Sequence, residues 1–246
     1  MASILNISAY RFVALNEPAV WRESIRSQAD ALGLKGTVLL AEEGINLVLA
    51  GAEADVRAFL GALVAQAPFA DLRCKESWSA AIPFGKLVVK VKPEIIRMNR
   101  PTIRPADGRA PAVDAQTLAR WLDTGRDDSG RPVVTLDTRN AFEVDHGRFT
   151  GAYDWRIASF GEFPRALGEH RAELEGKTVV SYCTGGIRCE KAALLMAQAG
   201  LSHVYQLEGG ILRYLEETGG RHFEGNCFVF DARGTLNDTL VPVPAL

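Results

Sequence analysis

The chain lacks any apolar run approaching the ~18 residues that cross a bilayer. Its first fifteen residues show neither a basic start followed by an apolar stretch nor a small-residue cleavage site, so we expect no membrane anchor and a cytoplasmic location. Four cysteines, Cys74, Cys183, Cys189 and Cys227, form no Cys-x-x-Cys pair, and spacing therefore supports neither a disulfide framework nor a zinc ribbon. Free thiols are the default. Histidine is scarce: His146, His170, His203 and His222 enter no His-x-Asp or His-x-Glu pair, which leaves an iron facial triad without local support. Neither a Gly-x-Gly-x-x-Gly fingerprint nor a phosphate loop occurs, and we expect no metal and name no flavin. Internal repeats and low-complexity tracts are missing as well. So is bulk positive charge: a net charge of -2 argues against a generic polyanion-binding domain.

What is present is enough apolar side chain, 47% of 246 residues, to bury one large core or two ordinary ones. Residues 1–97 read as strand (4–15), helix (18–32), two strands (36–41 and 45–50), helix (53–65) and two further strands (71–77 and 86–92). The helices carry apolar residues at helical spacing, for example Val20, Ile25, Ala29 and Leu32, while residues 86–92 alternate as a strand does. This βαββαβ order with one extra strand predicts a small ferredoxin-like α+β domain with its helices on one face. A hairpin is expected at 41–46, with Gly44 supplying a positive φ.

Four prolines and no sustained period in 93–111 mark an inter-domain linker, placed at 98–112. A second unit, 113–225, begins where Asp114 can cap a helix over 115–122. Strands at 132–136, 176–182 and 203–207 alternate with helices at 187–199 and 211–217, with a break at Gly209 and Gly210. Such alternation predicts an α/β domain with a mostly parallel sheet covered on both faces. Residues 226–246 form a tail.

The richest chemistry lies in Ser181-Tyr-Cys-Thr-Gly-Gly-Ile-Arg-Cys-Glu190, between a strand and a helix. Ligand sites in open α/β sheets lie beyond the carboxyl ends of the strands, where Cys183 falls. Gly185 and Gly186 let the backbone curl so that successive N–H groups converge, with Thr184 and Ile187 completing the cradle. The helix starting near Ile187 adds a partial positive charge and Arg188 a permanent one. Together these should lower the Cys183 pKa and stabilise a thiolate, or an anionic adduct on its sulfur. Cys189 either resolves an oxidised Cys183 as a disulfide or packs against the sheet. Cys74 and Cys227 read as structural. Seven basic residues against two acidic ones over 86–109 make this stretch the candidate phosphate-contacting surface: Lys86, Lys90, Lys92, Arg97, Arg100 and Arg104 are its nucleic-acid candidates.

The loop Cys183-Thr-Gly-Gly-Ile-Arg188 resembles that of the rhodanese family, in which a six-residue Cys-x-x-x-x-Arg loop carries a persulfide. Related phosphatases have a loop one residue longer, and the shorter length favours a sulfur-sized adduct. Asp137-Thr-Arg139 and Gly147-Arg-Phe-Thr-Gly-Ala152 are similar to further rhodanese elements. Over residues 4–231, five stretches together resemble the bacterial tRNA uridine hydroxylases: the stretch from Leu34 to Asn46, Asp137-Thr-Arg-Asn140, Phe160-Gly-Glu-Phe-Pro164, the stretch from Tyr182 to Lys191, and Asn226-Cys-Phe-Val-Phe-Asp231. Members of that family join an acylphosphatase-like domain to a rhodanese domain. Many continue into a tail with further cysteines, whereas this chain ends at Leu246 after Cys227 alone.

The resemblance implies oxygen-dependent hydroxylation of the tRNA wobble uridine to 5-hydroxyuridine, with tRNA as partner, molecular oxygen as co-substrate and Cys183 as the active-site cysteine. The residues identify no electron source and no oligomeric state. Two other readings stand beside this one. A sulfurtransferase would pass sulfane sulfur through Cys183. A non-catalytic tRNA- or protein-binding module would keep the loop as a relic.

Overall fold

A computed structural model describes residues 3–243 and contains no helix long and apolar enough to cross a membrane. The chain divides into two compact units between Arg97 and Met98.

In the first unit the order is β1 (Ile4–Phe12), α1 (Pro18–Ala31), β2 (Lys35–Ala41), β3 (Gly44–Ala52), α2 (Glu53–Val64), β4 (Cys74–Ser79) and β5 (Leu87–Val91). The strands lie in the order β4-β1-β3-β2-β5. The first four are the expected ferredoxin-like sheet. The extra strand β5 joins its edge parallel to β2, Val38 opposite Val89. Alternation along the strands sends Leu5, Ile7, Val38, Leu40, Leu47 and Leu49 into one core with Ile25 and Ala29 of α1 and Val56 and Phe59 of α2. Burial of those side chains at about 25 cal/mol per Å² is what fixes the register, because a one-residue slip would turn each of them to the opposite face. The β2–β3 hairpin turns at Glu42 and Glu43, and Gly44 has the expected positive φ, 140°. Strand β1 stops three residues earlier than predicted, at Phe12. There the backbone leaves the sheet for a stretch in which Val13 and Leu15 donate to the Glu43 and Glu42 carbonyls.

The second unit holds β6 (Ala112–Val113), α3 (Ala115–Thr124), β7 (Val133–Asp137), α4 (Ala141–Val144), β8 (Gly147–Phe149), α5 (Phe163–His170), β9 (Thr178–Tyr182), α6 (Ile187–Gln198), β10 (Val204–Leu207) and α7 (Gly210–Thr218). It continues with β11 (Phe223–Gly225), β12 (Cys227–Phe228), β13 (Thr235–Leu236) and β14 (Pro242–Val243). Its main sheet, β6-β10-β9-β7, is parallel throughout. Alternation along β9 divides the covering layers. Val180 and Tyr182 face a core with Leu118 and Trp121 of α3 and Ile211 and Tyr214 of α7, while Ser181 turns its hydroxyl to the Cys189 carbonyl of α6. Asp114 caps α3 as its position suggested, accepting from Thr117 N at 2.7 Å.

Residues 98–111 are irregular apart from the turn Pro105–Asp107, and Ala112 of the expected linker already belongs to β6. Their carboxyl-terminal part is held on the second unit: Gln206 donates to the Ala110 carbonyl at 3.3 Å, and Arg109 pairs with Glu190 and Glu208. The helices α4 and α5, the small β8–β11 pair and the three-stranded sheet β12-β13-β14 had no counterpart in the sequence reading.

Candidate active site at the β9–α6 loop

Strand β9, paired on both sides within the parallel sheet, delivers Cys183 at its carboxyl end, and the connection that follows β7 straps that end in place. Thr138 donates from both its backbone N–H, at 3.0 Å, and its hydroxyl, at 2.8 Å, to the Tyr182 carbonyl. Beneath it, Arg139 grips Asp137, with Nη2 2.6 Å from Oδ2, and donates to the Gly147 carbonyl at 2.6 Å; neither side chain is exposed. A buried pair of this kind is tolerated because its hydrogen bonds are satisfied on both sides.

After Cys183 the loop curls over two glycines. Gly186, at φ 105°, is the N-cap of α6 and donates its N–H to the Cys183 sulfur at 3.1 Å. The Cys183 side chain is fully buried. Burial pushes its thiol pKa up. Against that act a hydrogen bond from the Cys189 thiol, the Arg188 charge and the amides of Cys189 and Arg188, and these win, holding the thiol well below its ordinary value. Cys189 has one proton and two acceptors in reach, the Cys183 sulfur and the Gly186 carbonyl at 2.9 Å. Cys74 and Cys227 lack such a cradle, and burial pushes them to about 11 and about 12. Of these three thiols only Cys183 is set up as an anion.

The loop is also backed from behind by α7. Ile211 and Leu212 donate to the carbonyls of Cys183 and Thr184, at 2.9 and 3.2 Å. This close approach needs Gly210: at φ 66°, a Cβ there would lie 2.5 Å from the Cys183 carbonyl oxygen. In sequence, Gly209 and Gly210 read only as the break between a strand and a helix.

Arg188 does not point its guanidinium into open space. It makes two bonds to the fully buried Glu143 of α4, Nη1 to Oε1 at 2.5 Å and Nη2 to Oε2 at 2.7 Å. Glu143 also accepts from the Asn140 N–H at 3.0 Å. The cation expected beside the thiol is therefore shared with a carboxylate that the sequence reading missed, although Asn-x-x-Glu at a helix start is a readable capping pattern. Of the cradle residues, Thr184, Gly185 and Ile187 form the half-exposed rim, and the Thr184 hydroxyl turns outward to the Phe228 carbonyl at 3.5 Å.

The six basic candidates are divided between the two units. Lys86, Lys90, Lys92 and Arg97 are exposed on the first unit, whereas Arg100 and Arg104 belong to the second, and Arg104 is paired with Asp107. Among the described residues no three His, Cys, Asp or Glu side chains gather as metal ligands. A shallow cavity lined by Arg131, Arg171, Lys177 and His203 lies at the opposite ends of the strands, away from Cys183.

A parallel sheet whose strand end presents a thiol of lowered pKa in an amide loop, preceded in the chain by a separate βαββαβ unit, defines a two-domain thiol protein with a rhodanese-type site. Comparison with known proteins agrees on both halves: residues 4–95 match the UPF0176 acylphosphatase like domain, and residues 114–217 match the rhodanese-like domain. A solution structure of a rhodanese-like domain from Anabaena is 24% identical, covering 47% of this chain and 79% of that one with a TM-score of 0.38. Over its whole length the chain is similar to the tRNA uridine(34) hydroxylase of Bordetella avium, 64% identical over 98% of this chain and 100% of the relative. The tRNA uridine(34) hydroxylase of Variovorax paradoxus is 63% identical over 96% of this chain and 90% of the relative. The chain belongs to the tRNA uridine(34) hydroxylase family.

Proposed function

We propose that this protein is an oxidoreductase that hydroxylates uridine 34 of tRNA to 5-hydroxyuridine in the cytoplasm, with molecular oxygen as co-substrate and Cys183 as its reactive group. The observation that carries the reading is a thiol of lowered pKa inside a chain that is 64% identical, over 98% of its length, to a relative of that name. In this role Cys183 is the nucleophile or the carrier of a sulfur adduct, and the amides of the loop hold the negative charge. Arg188 balances that charge, Glu143 positions Arg188, and Cys189 donates its thiol proton toward the reacting sulfur. Lys86, Lys90, Lys92, Arg97, Arg100 and Arg104 are the candidates for tRNA phosphate contact.

A second reading, sulfur transfer through a Cys183 persulfide, is favoured by one feature. The loop spans six residues from Cys183 to Arg188, and its amides converge on the Cys183 sulfur. Nucleoside mass spectrometry separates the two. Transfer RNA from a deletion strain complemented with the wild-type chain should contain 5-hydroxyuridine. With Cys183→Ser it should contain unmodified uridine, and Cys189→Ser reports what the second thiol contributes. Loss of a thiolated nucleoside instead would favour sulfur transfer, and full 5-hydroxyuridine with Cys183→Ser would leave the loop a relic.

A further inference from the structure

Beside the rim of the cysteine loop stand three phenylalanines that the fold does not bury. Phe142 of α4 is 46% exposed and Phe230, in the turn after β12, is 61% exposed, while Phe228 is half-buried between them. Their rings are mutually perpendicular. Phe142 and Phe228 meet at 5.2 Å and 87°, Phe228 and Phe230 at 5.1 Å and 87°, and Phe142 and Phe230 at 6.2 Å and 88°. The result is an aromatic corner, and His146 stacks on Phe228 from the side at 5.3 Å.

This corner is braced by hydrogen bonds and continuous with the site. Phe230 sits in a turn closed by Val229 N to the Gly234 carbonyl at 2.9 Å and braced by the Asp231–Arg233 ion pair at 2.6 Å. Phe142 immediately precedes Glu143, which holds Arg188, and the Phe228 carbonyl receives the Thr184 hydroxyl of the loop itself. Leaving two large rings in water on braced backbone forgoes apolar burial.

We infer that Phe142, Phe228 and Phe230 form a stacking platform for a nucleobase of the tRNA anticodon loop next to the target uridine. The inference rests on the hydroxylase reading above. Its logic begins with Cys183, which has no exposed surface. A pyrimidine reaching that sulfur must leave its stack, and its neighbour in the strand then loses a stacking partner. Aromatic faces without hydrogen-bonding groups replace such a partner whatever the base. Charge agrees. Each carboxylate adjoining the corner in sequence is tied to an arginine: Glu143 to Arg188, Asp145 to Arg156 and Asp231 to Arg233. These three carboxylates are balanced and do not oppose an RNA backbone. The three phenylalanines are positioning residues.

The test measures binding of a fluorescent anticodon stem-loop RNA to the full chain by anisotropy, together with 5-hydroxyuridine in cells carrying the same variants. Phe142→Ala, Phe230→Ala and the corresponding leucine variants should weaken binding about 5- to 160-fold, the range expected when one base stack is removed. Phe230→Trp should bind as the wild type does and show an indole signal that changes on adding RNA. The Cys183 thiolate titration should stay at its wild-type position in every variant, which separates missing stacking from a collapsed site. Leucine variants binding as tightly as phenylalanine would overturn the platform, since apolar contact alone would then suffice. Alanine variants with wild-type RNA affinity but no 5-hydroxyuridine in cells would overturn it in favour of a protein partner on the same corner. Failure of the wild-type chain to bind the RNA, or to make 5-hydroxyuridine, would instead remove the hydroxylase reading and the platform with it.

Discussion

Replacing Glu143 by glutamine probes the charge balance of the loop with almost no change of shape. Glu143 is fully buried and takes two hydrogen bonds from Arg188, whose side chain is only 7% exposed. Glutamine can accept one of them and presents an amide donor to the other. It leaves a buried guanidinium without its counter-charge. Breaking a buried pair on one side costs about 3–5 kcal/mol, a large share of the about 5–15 kcal/mol that holds a domain together. Glu143→Gln should therefore lose several kcal/mol in urea unfolding. Replacing both partners, Glu143→Leu with Arg188→Met, should cost less than the sum of the single changes, because no orphaned charge remains.

The same variants should move the Cys183 thiol in opposite directions. Glu143→Gln removes a negative charge and leaves the Arg188 field undivided, so thiolate absorbance should appear at lower pH than in the wild type. Arg188→Met removes a charge that holds the thiol down, so it should appear at higher pH. The stability linked to this group follows the same sign. Its folded pKa lies below the unfolded value of about 8.5, so that stability is fully present above about pH 8.5 and is lost as pH falls through the folded value. Arg188→Met should narrow that window. Thiolate absorbance corrected with Cys183→Ser, and urea melts across the pH range, measure both effects. A Glu143→Gln protein with unchanged melt and titration would refute the account of the shared cation.

Cys189→Ala should raise the Cys183 titration, since it removes a thiol donor while leaving the amides; an unmoved curve would assign the thiolate to backbone and arginine alone. Gly210→Ala should lower thermal stability by several degrees and slow 5-hydroxyuridine formation, because a methyl 2.5 Å from the Cys183 carbonyl oxygen must push α7 off the loop. A wild-type melting point would show that the helix can retreat freely. Reversing Lys90 and Lys92 to glutamate should weaken tRNA binding and flatten its salt dependence, by about 0.7–0.9 in log-log slope for each phosphate the protein ceases to neutralise. An unchanged slope would make these exposed lysines a solvated sheet edge, where charge also serves to discourage strand pairing.

What could be read from the sequence was whatever periodicity and punctuation encode. Val20, Ile25 and Ala29 gave helix α1, the alternation around Val89 gave the edge strand, and Cys183 with two glycines and Arg188 gave the reactive loop, because each pattern is local. Helix α4 was missed since four residues are too few to show a period, and β12–β14 because strands of two residues carry no alternation. The omission of α4 mattered most. Glu143 reaches Arg188 across 45 residues of chain, and the capping pattern that betrays a helix start already accounts for its carboxylate through the Asn140 N–H. One oxygen of that carboxylate serves both the helix start and the arginine, so the local explanation conceals the distant one. Phe142 and Phe230 were hidden for the converse reason: a phenylalanine in a sequence is read as core, and only the fold shows which rings the core leaves outside. Partners contributed from distant segments, and apolar groups left in water, are the two kinds of site residue that a linear pattern gives no reason to expect.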